Sequence, residues 1–182
     1  MPGLYRWVGR RRVVVMSFLL MAVAGVLFML LGRVRPAGTP GVVSLELAFS
    51  AAAFGRIVDA WGSKGVRAYR DSTLYVDYWF PLAYALFLSG LVGALSFPRS
   101  ASPSKAEMVL FALPMLAAGL DWIENTLHLM LLRGPEGFSP ALVCAASCAA
   151  AVKWGLLVVA VAAIAVRVLR RLSRRWAKVR RQ

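Results

Sequence analysis

The sequence predicts an all-α polytopic membrane protein: a bundle of four transmembrane helices with one extra amphipathic surface helix. Of the 182 residues, 60% are apolar and only 16% are charged, whereas a soluble domain is about half apolar and about a quarter charged. The apolar residues fall into four long runs, and 22 Lys and Arg against 8 Asp and Glu give a formal net charge of +14. This composition excludes a soluble globular domain, and it excludes a disordered chain, which needs low hydrophobicity.

Each of the four apolar runs is long enough to cross a bilayer as a helix. A hydrocarbon core of about 30 Å takes about 20 residues, and the backbone there must pair within the helix. We expect the first run to be an uncleaved span and not a signal peptide, because its apolar stretch is too long and no small-residue cleavage site follows it. The predicted spans cover residues 13–32, 78–98, 108–132 and 141–166.

The distribution of Lys and Arg predicts the orientation of the chain. The N-terminal segment 1–12 and the C-terminal tail 167–182 are both strongly basic, and four spans place them on the same side of the membrane. We expect that side to be the cytoplasm. The long loop 33–77 and the short loop 133–140 then lie outside, and the loop 99–107 lies inside.

The basic tail has two interpretations, attraction to anionic lipids and nucleic-acid binding. A Lys or Arg near an anionic membrane surface contributes about 1 kcal/mol. Apolar residues interleave with the bases, as in an amphipathic helix on a membrane surface. They are Leu169, Leu172, Trp176 and Val179. Because no nucleic-acid-binding motif accompanies the charge, the sequence predicts anionic lipids as partners of the tail and no nucleic acid.

The outer loop contains a predicted amphipathic helix over residues 43–61, whose apolar residues recur at spacings of four and three. These residues are Val43, Leu47, Ala51, Phe54, Val58 and Trp61. The helix is either packed on the outer surface of the bundle or forms a lid over a polar cavity. Gly62 and Gly65 interrupt it, and a helix can resume towards the second span. A group of aromatic residues near that span indicates the membrane interface. These are Tyr69, Tyr75, Tyr78, Trp79 and Phe80.

Charged residues interrupt the last two spans. In the third span Asp121, Glu124, Asn125 and His128 lie three or four residues apart and share one helix face. A charge at the bilayer centre costs at least about 2.5–3.5 kcal/mol, so two carboxyls there need a partner. Asp121 and Lys153 lie near the midpoints of consecutive antiparallel spans, and we expect them to meet at the same depth.

The polar face of the third span predicts a pocket that opens outward. Because this span runs from inside to outside, its polar residues beyond Asp121 lie progressively closer to the outer face. Two residues of the outer loop, Glu46 and Asp77, approach the same face. The predicted pocket consists of Glu46, Asp77, Asp121, Glu124, Asn125, His128 and Lys153. The same charges also suit a structural ion pair that fixes the register of the helices, and both interpretations stay open.

The sequence predicts no metal and no cofactor. Asp121, Glu124 and His128 have spacings that metal ligands use, but His128 is the single histidine and Lys153 competes for the same carboxylates. Haem would find at most one histidine as an axial ligand.

The two cysteines, Cys144 and Cys148, lie one turn apart in the fourth span. This spacing within a helix does not give easy disulfide geometry. Because the surrounding residues are small, we expect a face that packs closely against a neighbouring helix, and not a quinone redox site.

Several short strings carry a resemblance to a known family. They are Leu45-Glu46, Trp61-Gly62, Asp77 to Tyr84, Ala118 to Asn125, and Lys153. Over about residues 45–157 the chain resembles a family of uncharacterised bacterial four-span integral membrane proteins. The resemblance implies a four-span fold in a bacterial inner membrane, and it implies no activity.

Three functions fit these predictions. The first is binding of a small molecule or lipid in the outward-facing pocket. The second is a non-catalytic accessory or assembly subunit of a membrane complex, in which the charges fix the bundle and another membrane protein is the partner. The third is a lipid-active enzyme in which Asp121 or Glu124 donates a proton beside Lys153. The sequence leaves the choice among them, and therefore enzymatic activity, open.

Overall fold

The computed structural model describes residues 2–32, 36–96, 103–133 and 137–180, and every regular element within these ranges is helical. The helices are α1 (Pro2–Val8), α2 (Arg11–Gly32), α3 (Val42–Glu46), α4 (Ala51–Ser72), α5 (Phe80–Ser96), α6 (Lys105–Leu131) and α7 (Pro140–Val179). A π-helical turn, Thr73–Asp77, follows α4. The all-α prediction is confirmed for the described residues.

Three helices are long and apolar enough to cross a membrane. Their candidate spans are Arg11–Leu31 in α2, Lys105–Leu131 in α6 and Pro140–Arg174 in α7. α5 has 17 residues, and it is long and apolar enough to cross a membrane only together with Ala51–Asp77, from which it is bent by 47°. The predicted second span, 78–98, therefore appears as a shorter helix that begins after a turn at its first two positions.

Parts of several predicted segments lie outside the described residues. These parts are residue 1 of the basic N-terminus, residues 33–35 of the first loop, 97–98 of the second span, 99–102 of the second loop, 134–136 of the third loop and 181–182 of the tail.

Local signals explain where two of the long helices begin. Ser104 and Glu107 form a capping box at the start of α6: Ser104 Oγ accepts from the Glu107 N–H at 3.3 Å, and Glu107 Oε2 accepts from the Ser104 N–H at 2.9 Å. α7 has Pro140 in its first position, where the missing N–H costs little. No Gly or Pro follows Gly155, and α7 continues to Val179. The predicted fourth span and the basic tail are therefore one helix, not a span followed by a separate surface helix.

The predicted amphipathic helix over 43–61 is divided into two helices. α3 ends at Glu46, and α4 begins after its capping residue Ser50. Between them Phe49 has a φ of 51°, and its N–H donates to Ser147 Oγ of α7 at 3.0 Å. The apolar spacing of four and three continues across this break, so periodicity alone does not reveal it.

α4 is interrupted where the sequence predicts an interruption. Gly62 has a φ of 63° and a ψ of 178°, a conformation that residues with a side chain rarely adopt. Gly65 remains within the helix, so only the first of the two glycines breaks the pattern. The segment after Gly62 leads through the π-helical turn towards α5.

The long helices pack in chain order, each antiparallel to the next. α5 packs against α2 and α6, and α6 packs against α7. α3 and α4 cover the end of α6 and α7 at which Leu131 and Val143 meet, through a cluster that includes Phe54 and Trp61. The helical part of the outer loop is thus packed on the long helices, a geometry that the surface-helix and lid interpretations share.

Two close contacts bring the described parts of both basic termini to the C-terminal end of α5. A Cβ atom on Gly90 would lie 2.8 Å from Val14 Cγ2 and 2.9 Å from the Val8 carbonyl oxygen, so α1 and α2 approach α5 through this glycine. Arg171 Nη2 of α7 donates to the Leu95 carbonyl oxygen at 2.7 Å. Such a cation satisfies a carbonyl group that the end of a helix leaves without a backbone partner.

The small residues of the fourth predicted span pack closely, but not on the cysteine face. Cys144 and Cys148 are exposed, which corrects the prediction made for them. The buried small residues around the cysteines are Ala146, Ser147, Ala149 and Ala150. Several of these residues share a helix face with Lys153. Because a charged side chain within a span is costly to expose to lipid, this face is the one that packs inside the bundle.

Candidate ligand-binding cavity

Lys153 lies at the centre of a buried charged cluster. Its Nζ is 3.0 Å from Asp121 Oδ1, 2.7 Å from Glu124 Oε2 and 3.6 Å from Glu46 Oε2. None of the four residues is more than 7% exposed. The predicted contact between Asp121 and Lys153 is present, and Glu124, one turn further along α6, reaches the same ammonium group.

Three elements supply this cluster. Asp121 and Glu124 lie one turn apart on the face of α6 that meets α7, and Lys153 lies opposite them on α7. Glu46 is the last residue of α3, and its Oε2 accepts a hydrogen bond from Trp154 Nε1 at 2.8 Å. The cluster therefore ties the short α3 to the middle of α7.

Asp121 is bonded through both of its carboxylate oxygens. Oδ1 accepts from Lys153 Nζ, and Oδ2 accepts from the Tyr84 hydroxyl of α5, each at 3.0 Å. The carboxylate thus joins α5, α6 and α7 at one point. In a low-dielectric interior such a network is stable when each polar atom has a partner.

His128 extends the polar network towards α4. Its Nδ1 lies 2.9 Å from the Tyr69 hydroxyl oxygen and 3.9 Å from Glu124 Oε1. The ring is fully buried, with its centroid 5.7 Å from that of Phe54. Its Nε2 has no hydrogen-bond partner among the described residues. The imidazole therefore connects α6 to the helix that folds over it.

Asn125 holds the backbone of the π-helical turn. Its Nδ2 donates to the Asp77 carbonyl oxygen at 3.3 Å. On the same helix, Trp122 Nε1 donates to the Tyr78 carbonyl oxygen at 3.0 Å. These two bonds from α6 fix the segment that carries Asp77, so its carboxyl group is held beside the other acidic residues.

A cavity of about 490 Å³ adjoins the cluster, and side chains of α2 to α7 and of the π-helical turn line it. The predicted pocket residues that line it are Glu46, Asp77, Asp121 and Lys153. The other three are buried without lining it: Glu124, Asn125 and His128. Four of the seven predicted residues thus line the cavity, and three are buried beside it. Glu124 faces Lys153 of α7, whereas Asn125 and His128 contact the π-helical turn and Tyr69 of α4, which fold over that end of α6.

The cavity is charged at one end and apolar at the other. On α7 its wall runs from Lys153 to Val161, a distance of about 12 Å along a helix that rises 1.5 Å per residue. On α5, which runs parallel to α7, the wall runs from Tyr84 to Leu88 in the same direction. The apolar side chains of the lining include Met21, Phe28, Leu31, Leu88, Leu157 and Val161. Ligand sites typically combine such apolar walls with a few convergent polar groups.

Three aromatic residues of the site are not predicted by the sequence. Tyr69 is 5% exposed and lines the cavity, so its ring faces the interior of the protein and not the surrounding membrane. Tyr84 follows Asp77 by two helical turns in sequence, but the π-helical turn and the bend before α5 lie between them, so this spacing does not place the two on one helix face. Trp154 follows Lys153, but nothing local indicates its bond to Glu46, which depends on where α3 folds.

The described residues contain no group of three or more His, Cys, Asp and Glu side chains placed to hold a metal ion. The position between the carboxylates of Asp121 and Glu124 is occupied by Lys153 Nζ. An ammonium group there repels a second cation at the same point.

No protein-family model, curated protein or solved structure matches this chain. The function is therefore inferred from the chemistry of the cavity itself.

Proposed function

We propose that the protein is a four-span integral protein of the bacterial inner membrane that binds a small molecule or lipid in this cavity. The observation that carries the proposal is an apolar cavity of about 490 Å³ that ends at a buried ion cluster. Ligand cavities typically measure about 300–1,000 Å³. Ionisable residues within membrane spans are expected to be functional, because burying them is costly.

The packing of α5 supports the fourth span. α5 lies between α2 and α6, and together with the bent segment before it, it is long and apolar enough to cross a membrane. Four spans place both termini on one side, and α1 and Arg171 both contact the C-terminal end of α5. The excess of Lys and Arg makes that side cytoplasmic. The charged end of the cavity, beside α3 and Asp77, then lies towards the outer face.

Filling the cavity tests the proposal. Leu157 lines its apolar end, whereas the next residue, Val158, is 65% exposed and does not line it. The full-length protein, Leu157→Trp and Val158→Trp are purified in a non-ionic detergent, and bound molecules are extracted and identified by mass spectrometry. We expect one species in a fixed ratio to the protein in the wild type and in Val158→Trp, and its loss in Leu157→Trp.

Folding of each variant is checked by circular dichroism and size-exclusion chromatography. A wild-type protein that carries no enriched species and binds none from a total lipid extract would contradict the proposal. A folded Leu157→Trp variant that retains as much bound material as Val158→Trp would also contradict the proposal.

A second candidate function is that of an accessory or assembly subunit of a membrane complex. The observation that favours it is the saturation of Lys153, whose Nζ lies within 4 Å of three carboxylates. A buried cluster of this kind can specify helix arrangement without chemistry. In that case the protein purified in mild detergent brings a membrane-protein partner in a fixed ratio, and Leu157→Trp leaves that ratio unchanged.

Anionic lipids are the proposed partners of the basic end of α7. The described side chains there alternate between cationic and apolar, and Arg170, Arg171 and Arg174 are exposed together with Leu169 and Trp176. Such a helix end suits the boundary between headgroups and acyl chains. This proposal is supported if the lipids that co-purify with the protein are enriched in anionic over zwitterionic species, and if substitution of the three arginines by Gln removes the enrichment.

A further inference from the structure

The acidic residues of this basic protein are concentrated at the cavity. The chain has 8 Asp and Glu in total, and half of them lie here: Glu46, Asp77, Asp121 and Glu124. Lys153 is the one Lys or Arg among the cavity-lining residues that the structure describes. With all four carboxyl groups ionised, the one ammonium group leaves a formal charge of about −3 beside an apolar cavity. Unpaired charge is strongly disfavoured there, so each of these groups is stable only when it is neutral or has a cation beside it.

Lys153 cannot compensate this charge alone. An ammonium group has three donor hydrogens, and Nζ already contacts Asp121, Glu124 and Glu46. The carboxylate of Asp77 lines the cavity and makes no ion pair within the described part of the chain. The acidic end of the cavity therefore has an accessible carboxylate that lacks a cationic partner.

Aromatic rings surround the same end of the cavity. Tyr69, Phe80, Tyr84 and Trp154 all line it. The faces of such rings attract cations that lie within about 6 Å of the ring centre, and quaternary ammonium groups bind in aromatic surroundings of this kind. Trp154 already contacts a cation, because Lys153 Nζ lies 5.3 Å from its ring centroid. The other three rings, together with a carboxyl group, favour a positively charged ligand group and disfavour an anionic one.

The rest of the cavity sets the shape of the ligand. Beyond Tyr84 and Lys153 the wall is apolar and extends about 12 Å along α7, past Leu157 to Val161. Resting on the function proposed above, we propose that the ligand is a cationic amphiphile. Its ammonium head lies beside Asp77 and the aromatic rings, and its single hydrocarbon chain extends towards Leu157 and Val161.

Three probes with the same tail and different heads test this assignment: dodecyltrimethylammonium, dodecanol and dodecanoate. The full-length protein is placed in nanodiscs of zwitterionic phospholipid, and binding is measured by titration calorimetry, with empty nanodiscs measuring partition into lipid. After this subtraction, we expect the cationic probe to bind at least about tenfold more tightly than the other two. Leu157→Trp should abolish binding of the cationic probe.

Removal of the free carboxylate gives a matched comparison. Asp77→Asn should reduce affinity for the cationic probe about tenfold, with little change for dodecanol. Asp71→Asn removes an exposed carboxyl nearby in the chain and should leave all affinities unchanged. Glu46→Gln, which keeps an acceptor for Trp154, is the second variant if Asp77→Asn does not fold, and it should weaken the same probe.

The outcomes separate the two levels of the inference. Equal affinity for the three probes, or tighter binding of dodecanol or dodecanoate, overturns the assignment of a cationic ligand. If Leu157→Trp then abolishes binding of these probes, the proposed function still stands. A preference for the cationic probe that Asp77→Asn and Glu46→Gln both leave unchanged also overturns the assignment. Failure of every probe and of a total lipid extract to bind overturns both.

Discussion

The Tyr84 hydroxyl donates a 3.0 Å hydrogen bond to Asp121 Oδ2, and this bond attaches α5 to the charged cluster of α6 and α7. Without it, Lys153 would be the remaining hydrogen-bond partner of this carboxylate among the described residues. Because Tyr84 also lines the cavity, the same side chain both satisfies Asp121 and forms part of the wall at the charged end.

Tyr84→Phe removes this hydrogen bond and keeps the ring. A hydrogen bond to a charged group contributes about 1.5–3 kcal/mol, so we expect the free energy of unfolding to fall by that amount in reversible denaturation in mixed micelles. Tyr75→Phe is the control, since Tyr75 is 75% exposed. An equal effect of the two substitutions would contradict a special contribution of the bond between Tyr84 and Asp121.

Lys153→Met is expected to be the most destabilising single change in the cluster. It leaves three carboxylates without their common cation, and breaking a buried pair costs about 3–5 kcal/mol. Asp121→Asn should cost less, because Lys153 keeps Glu124 at 2.7 Å and Glu46 at 3.6 Å. The measurement is the free energy of unfolding of each variant in mixed micelles.

The double variant Asp121→Asn, Lys153→Met separates a simple pair from a cluster. In a simple pair the second change restores most of the stability that the first removes. Here Glu46 and Glu124 remain without a cation, so the double variant should stay close to Lys153→Met. Recovery to near wild-type stability would show that Asp121 and Lys153 act as an isolated pair.

The contact between Asp121 and Lys153 could be predicted because it depends on two consecutive antiparallel helices. A short connection fixes their relative depth, so counting residues from the middle of each span locates the meeting point. The bond between Trp154 and Glu46 depends instead on the path of the outer loop. That path includes the break at Phe49, whose φ is 51°, and apolar periodicity does not encode this break.

The same difference explains why the inward orientation of Tyr69 is not predicted from the sequence. Its position just before an apolar run and next to other aromatic residues is typical of a membrane interface. In the structure Tyr75 and Trp79 are exposed, whereas Tyr69 turns inward to His128 Nδ1 at 2.9 Å. The amino-acid composition of this segment identifies the group of aromatic residues, but it does not predict which helix face each of them occupies.

Gly90→Ala should loosen the contact of α1 and α2 with α5. The added Cβ would lie 2.9 Å from the Val8 carbonyl oxygen and 2.8 Å from Val14 Cγ2. A backbone oxygen does not yield as a flexible side chain does, and overpacking costs about 1–3 kcal/mol. Gly119→Ala on α6 meets no atom within 4 Å and should be neutral or stabilise the helix by up to about 1 kcal/mol. Both are compared by thermal unfolding; equal transition temperatures would contradict the close approach.

The proposed orientation predicts opposite labelling of the two ends of the bundle. Ser44 in α3 and Arg174 near the end of α7 are both exposed, and each is replaced by Cys in a background of Cys144→Ala and Cys148→Ala. A membrane-impermeant maleimide applied to spheroplasts should label Ser44→Cys, while Arg174→Cys should react only in inverted vesicles, because the proposed orientation places the basic end of α7 in the cytoplasm. Labelling of both positions from one side would exclude the proposed topology, since α3 and the end of α7 would then share a compartment. Labelling with the two preparations exchanged would place the charged end of the cavity towards the cytoplasm.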